Sequence, residues 1–233
     1  MLIADRNGMV VDSGGWRNPY VTDGLIAMWD GEWPGGVGGQ IAQSASEWVD
    51  LIHGSVYGRG TNILYNASGK YFDTNYIGSS EAARFNYPTT SMVNISFEVV
   101  VKCDYSSGNW RNFFGATNGG SFVLIGTDVA ELNPQGSSMS YQFPKGEWHN
   151  AAYVITTDIR NAYMYLDGNQ VVNGGIPPSD VSYAACPNQS AGNVSGCLSC
   201  VRVYNRALTA AEITANYAVD SIRFNLTGGG VNA

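Results

Sequence analysis

The stretch Ser91–Asp104, SMVNISFEVVVKCD, decides the fold class. Val93, Ile95, Phe97, Val99 and Val101 alternate with Asn94, Ser96, Glu98, Val100 and Lys102. Successive side chains of a strand point to opposite faces, so this alternation predicts a long strand with one apolar and one mixed face. The same pattern extends outward. Phe113–Phe114 and Ser121–Gly126 read as strands divided by the turn Asn118–Gly120. Glu147–Thr156 (EWHNAAYVIT) and Asn161–Leu166 (NAYMYL) read as neighbours, and Asp167–Gly168 is a tight-turn signal leading into Gln170–Val172. Cys197–Tyr204 is the last strand, and Gly24–Asp30 (GLIAMWD) an early one closed by the glycine-rich loop Gly31–Gly39. One helix is signalled. Thr209 caps it, Glu212 completes a capping box, and Leu208 with Ile213 forms the hydrophobic staple. That helix is expected to run to about Val219, with Ile213 and Tyr217 on one face. Many short strands and one short late helix predict an all-β, antiparallel two-sheet sandwich.

Composition agrees. A chain of 233 residues fits one such domain, and charged residues are only 13% while Gly reaches 29 and Tyr 14. Strands and tight turns favour that mixture. Residues 1–18 read as an N-terminal arm, 19–226 as the domain and 227–233 as a flexible C-terminal tail. The net charge of −7, with no Lys/Arg cluster, argues against nucleic acid and anionic membrane as partners. No stretch reaches the length of a membrane span, and no signal peptide is evident, so synthesis in the cytoplasm is expected. Cys103, Cys186, Cys197 and Cys200 are too few for a disulfide scaffold. Cys197-x-x-Cys200 lies in an apolar strand without a second ligand pair, so the expectation is buried thiols and no metal.

Several segments together resemble the laminin G-like, concanavalin A-like jelly-roll family. YVTDGLIAMWDG, from Tyr20, resembles its opening strand, and Glu47–Gly54 (EWVDLIHG) the element that follows. Gly146–Val172 is similar to its central hairpin, and Val201–Tyr217 (VRVYNRALTAAEITANY) to its closing strand and helix. The resemblance covers about residues 20 to 224 and implies a jelly-roll sandwich with one short C-terminal helix. It also implies that Trp29, Trp48 and Trp148 are packing aromatics, that Arg206 bonds carbonyls near the helix start, and that Asp50 satisfies local amides. The opening segment further resembles proteins of bacteriophages and gut bacteria, which implies a virion or extracellular surface as the place of action.

Catalysis finds little support in the sequence. Retaining glycosidases need two carboxyl groups about 5 Å apart. Of the 19 acidic residues only Asp30 and Glu32 lie two apart, with Gly31 as a turn between them. Glu98 is isolated on its strand and reads as a solvated sheet residue. The two histidines come with no Gly-x-Ser-x-Gly elbow. No catalytic residue, and no enzyme, is the expectation.

Binding would use aromatic plates beside planar hydrogen-bonding groups on loops. Trp33, in the glycine-rich loop, and Trp110, in SSGNWRN with Asn109, Arg111 and Asn112, are the candidate glycan contacts. Calcium has no dense ligand loop, with Asp128/Glu131 and Asp73/Asn75 the nearest approximations, so no cofactor is expected. Two functions follow: a carbohydrate-binding adhesion module for a glycan or host-surface polysaccharide, or a virion structural or decoration protein assembling with other virion proteins or as a homo-oligomer. A polysaccharide-degrading enzyme ranks third.

Overall fold

The structure is a computed structural model that describes residues 3–4, 10–12, 15–16, 18–32, 47–53, 56–59, 64–73, 84–85, 94–106, 111–115, 121–126, 128–132, 140–158, 161–174 and 194–226. The chain opens with β1 (Ile3–Ala4), β2 (Val10–Asp12) and β3 (Gly15–Trp16), then β4 (Leu25–Asp30), β5 (Glu47–Val49) and β6 (Val56–Arg59). There follow β7 (Leu64–Asn66), β8 (Tyr71–Asp73), β9 (Arg84–Phe85) and the long β10 (Ile95–Ser106). Next come β11 (Arg111–Gly115), β12 (Ser121–Ile125), β13 (Val129–Leu132) and β14 (Tyr141–Pro144). The domain closes with β15 (Trp148–Ile155), β16 (Ala162–Leu166), β17 (Asn169–Gly174), β18 (Val194–Tyr204) and the helix α1 (Ala210–Arg223).

One antiparallel sheet runs β17-β16-β15-β10-β18-β8-β7, with β4 also paired to β18. A second runs β11-β12-β13-β14, and smaller sheets join β5-β6-β9 and β1-β2-β3. The last of these gives the expected N-terminal arm a short sheet of its own. Phe97, Val99 and Val101 from β10 pack with Val123, Ala130, Leu132 and Phe143 of the second sheet. This is the sandwich, and the sequence's period-two positions are its inner face.

The large sheet is buried on its other face as well. Ala152, Val154, Tyr165 and Tyr204 pack against Leu208 and Ile213, so α1 lies across it. Thr209 accepts from Glu212 N at 3.3 Å and Glu212 accepts from Thr209 N at 2.8 Å, the reciprocal capping box expected from sequence. The helix runs a turn past Val219, to Arg223. Its buried residues are Ile213, Asn216 and Asp220. Two of these three are polar, so hydrophobic periodicity underestimates the length. The β16–β17 turn carries positive φ at Asp167 (50°) and Gly168 (75°), as a two-residue hairpin turn demands.

β18 holds two partners on one edge. Cys197 and Leu198 pair with β8, whereas Cys200 to Tyr204 pair with β4. On the opposite edge, against β10, Val100 faces Cys200 but Val101 faces Leu198, leaving Ser199 as an extra residue, a β-bulge. Cys103, Cys197 and Cys200 are buried free thiols; Cys186 lies outside the described residues.

Candidate functional site

Where β4 ends and β8 begins, beside the Ser199 bulge, a cleft of about 180 Å³ opens. Glu32, Lys70, Ser199, Trp148, Arg223 and Phe224 line it, with Gly69 and Asn225. The backbone around it is tightly held. Gly31 N donates to Ser199 O at 2.7 Å, Ser199 Oγ to Lys70 O at 2.9 Å, and the Tyr65 hydroxyl to Gly31 O at 2.6 Å. A Cβ at Gly31 would lie 2.0 Å from Lys70 O, so only glycine permits this approach. Asp30 Oδ1 accepts from Glu32 N at 2.9 Å and so fixes the step from strand into cleft.

The charges of the cleft are paired. Glu32 accepts from Lys70 Nζ at 2.5 Å and from Arg223 Nη2 at 3.3 Å, and Arg223 Nη1 lies 2.7 Å from Asp30. The Arg223 side chain is 1% exposed, and its Nε has no hydrogen-bond partner among the described residues. Burial by itself lowers an arginine pKa, but Asp30 and Tyr20 beside it hold Arg223 above its ordinary value. One wall is aromatic: Trp148 is half-buried and its ring lies 5.4 Å from that of Tyr71, tilted by 59°.

Beneath α1 a second polar cluster anchors this wall. Arg202, fully buried, donates to Glu98 at 3.0 Å and to both oxygens of Asp220 at 2.9 and 2.6 Å. Asp220 also accepts from the Tyr20 hydroxyl and from Asn150 Nδ2, each at 2.7 Å. Asn216 Nδ2 donates to Glu98 at 2.6 Å. Arg223 reaches the Tyr20 hydroxyl in turn, joining this cluster to the cleft. Glu98 is therefore not the solvated residue expected: it is 0% exposed, because it lies on the face that α1 covers. Burial raises its pKa, and Arg202 only partly offsets that.

Both histidines meet an aspartate through Nδ1 at 2.7 Å, His53 with Asp50 and His149 with Asp167. The first is surface, the second buried with its Nε2 unpartnered among the described residues. Asp50 also accepts from Met28 N, Ile52 N and His53 N, the amide-satisfying role expected of it. Arg206 likewise donates to Asp23 O and Ala207 O, and pairs with Glu212. Trp29 is core; the Trp48 side chain lies outside the described residues.

Of the candidate glycan contacts, Trp33, Asn109 and Trp110 lie outside the described residues. Trp33 directly follows the cleft residue Glu32 in the chain. Arg111 and Asn112 begin β11, paired to Ile125 and Leu124, so their backbone belongs to a strand and not to the loop. Asp128 is exposed and Glu131 buried, and Asp73 ends β8; among the described residues no three His, Cys, Asp or Glu converge on a metal position. Sequence reasoning missed Lys70 and Arg223, and assigned Trp148 to packing. Its available signal was Asp220: a charge seven residues after Ile213, on the same helical stripe, demands a buried partner.

This geometry defines a two-sheet sandwich with a polar-aromatic cleft at one end of the helix-covered face. The laminin G-like family profile, described as the concanavalin A-like lectin/glucanases superfamily, matches residues 77–214, more than half of the chain. The chain belongs to that superfamily. No curated protein matches it. Among solved structures it is similar to a Trypanosoma rangeli sialidase in complex with 2,3-difluorosialic acid, at TM-score 0.66 and 15% identity, over 92% of this chain and 36% of the sialidase. It is also similar to the botulinum neurotoxin serotype D binding domain (TM-score 0.62, 14% identity, 84% of this chain and 52% of that one). The serotype G binding domain gives TM-score 0.57 and 16% identity, over 84% and 51%. The chain thus spans about a third of the sialidase and half of the toxin domains, and at these identities the likeness is one of fold.

The expectation of a chain without catalysis is corrected at this point. Chains that carry this fold include sialidases, so the architecture is compatible with an enzyme. The sequence test failed for a physical reason. It looked for acids two apart on one strand, whereas the fold gathers Asp30, Glu98 and Asp220 from three distant segments and sets Asp30 and Glu32 on one guanidinium. One fold hosts enzymes and binding modules alike.

Proposed function

We propose that this domain binds carbohydrate in the cleft between Trp148, Lys70 and Arg223, acting on a virion or cell surface. The observation that carries this reading is the half-buried Trp148 ring, held against Tyr71 beside groups that donate and accept hydrogen bonds. An aromatic plate flanked by polar groups offers a sugar ring both an apolar face and hydroxyl partners. The similarity to sialidases and to toxin binding domains supports the same direction. Trp33, next in the chain to Glu32, is a proposed further contact, and Trp110 with Asn109, Arg111 and Asn112 a proposed second patch. The surface location follows the resemblance to phage-encoded laminin G-like proteins.

The test is a glycan array, run with calcium and with chelator, on the wild type and on the Trp148→Ala, Trp33→Ala and Trp110→Ala variants, with product analysis for bond cleavage. An anchoring aromatic contributes about 2 kcal/mol or more, so Trp148→Ala should weaken binding about thirtyfold. A folded wild type that binds no glycan, or a Trp148→Ala variant that binds as well as the wild type, refutes the cleft reading. In the first case the virion assembly role takes its place.

A further inference from the structure

We infer that the ligand is a neutral oligosaccharide of more than one ring, and that Lys102 and Asp104 form a second subsite beyond the cleft. This rests on the carbohydrate reading of the cleft and extends it. Three observations carry it: the size of the cleft, the register of the strands beside it, and the pairing of Lys70, Arg223 and Lys102 with carboxylates.

The cleft of about 180 Å³ is smaller than pockets that enclose drug-sized ligands. The sheet face continues past it, however. Lys102 lies abreast of Trp148 on β15 and abreast of Cys197 on β18, on the side of the sheet that bears Val100 and Cys200. Asp104, the unpaired residue at the β10–β18 register shift between Cys103 and Tyr105, is placed on the same side by its contacts with Lys102 Nζ (3.5 Å) and Cys197 Sγ (3.7 Å). From Val100, in the cluster that Phe224 packs against, to Asp104 is four residues, about 13 Å of strand. That length exceeds one pyranose ring. Trp148 and Tyr71 therefore stand at the middle of a polar track, with Lys70, Glu32 and Arg223 at one end and Lys102 with Asp104 at the other. The side chains of Lys102 and Asp104 are 26% and 34% exposed, open enough to meet a ligand and held enough to be ordered.

Charge selects the class. Lys70 faces Glu32, Arg223 faces Asp30 and Glu32, and Lys102 faces Asp104. A sugar carboxylate entering this track finds each described cation already neutralised, in a chain whose net charge is −7. Hydroxyl groups suffer no such penalty, since they donate to the carboxylates and accept from the ammonium and guanidinium groups.

The experiment is calorimetric titration of the full chain with cello-, malto- and chito-oligosaccharide ladders from one to six residues, and with lactose against sialyllactose. The Lys102→Met and Asp104→Asn variants are measured beside the wild type, with thermal melts to confirm folding. In at least one neutral ladder, affinity should rise about tenfold between one and three residues, the worth of one hydrogen bond to a charged group. Lys102→Met and Asp104→Asn should each remove that rise. Sialyllactose should bind no better than lactose. Equal affinity for monomer and trimer, a rise that both variants retain, or a preference for the sialylated sugar overturns the inference while leaving a carbohydrate site in place. Absence of binding to every sugar overturns both.

Discussion

Replacing Arg202 with methionine is the most informative single perturbation of this fold. The substitution keeps a long apolar stem but removes the only cation among the described residues that Glu98 touches, and the cation that grips both oxygens of Asp220. All three side chains are 0% exposed, so water does not replace what is lost. Removing one partner of such a buried set costs about 3–5 kcal/mol. In a chain of this size each kcal/mol moves the melting midpoint about 2–4 °C, so a fall of about 6–20 °C is expected at neutral pH. The loss also carries a pH signature. Burial already raises the Glu98 pKa above its usual 4.5, and without Arg202 it rises further. A carboxyl group whose folded pKa is raised binds its proton more tightly in the folded state. Stability is then highest below the unfolded value and falls as pH rises through the folded one. The Arg202→Met variant should therefore lose least near pH 4 and most at pH 7 to 8. Calorimetry across that range reads this directly. A loss below about 1 kcal/mol at pH 7, or one that does not change with pH, would refute the view that Arg202 neutralises two buried carboxylates. Adding Glu98→Gln and Asp220→Asn to Arg202→Met should recover much of the stability, since the unpaired charges are then gone.

Three further outcomes are expected. Glu212 is held down to about 2, chiefly by its hydrogen bonds from Arg206. Its contribution is complete above 4.5 and is lost as pH falls towards 2, so wild-type and Glu212→Gln melting curves should separate at neutral pH and converge in acid. Gly168→Ala forces a side chain onto a φ of +75°, with its Cβ 2.8 Å from the Tyr217 ring. A cost of about 1–2 kcal/mol follows from the backbone alone, read as a lower denaturant midpoint with an unchanged slope. Burial pushes the Cys103 and Cys200 thiols up, so in a Cys186→Ser, Cys197→Ser background a thiol reagent at pH 8 should react only as the protein unfolds. Rapid reaction of the native protein would contradict the burial.

The fold was far more legible than the site. β10, β15, β16 and β18 announce themselves through alternation and through β-branched and aromatic content, and the Asp167–Gly168 turn and Thr209–Glu212 cap are local signals that the structure keeps. Local grammar fails where a residue's surroundings come from far away in the chain. Glu98 looked solvated because a polar residue at an alternating position normally faces water. It meets Arg202, 104 residues on, and Asn216, 118 residues on. The cleft is assembled from the exit of β4, the entry to β8, the bulge in β18, the start of β15 and the end of α1. No stretch of sequence contains more than a fragment of it. Helix length was underestimated for the same reason, since the last turn is held by Asp220 and Arg223, whose partners are Arg202, Tyr20 and Asp30.

The extra residue at Ser199 has a consequence for how this chain tolerates change in length. Upstream of it the even-numbered Leu198 faces the second sheet; downstream the odd-numbered Val201 and Val203 do. The strand is thus written in two reading phases that meet at one serine, and Lys70 and Gly31 are fastened to that junction. Deleting Ser199 would close the bulge and let one alternation run through the strand, with Leu198 still facing the second sheet and Cys200 the opposite face. A conservative point substitution there is a local matter. A one-residue deletion in the same place would keep the inside and outside of the strand but remove the carbonyl and hydroxyl that hold Gly31 and Lys70, and so would untie β4 and β8 together.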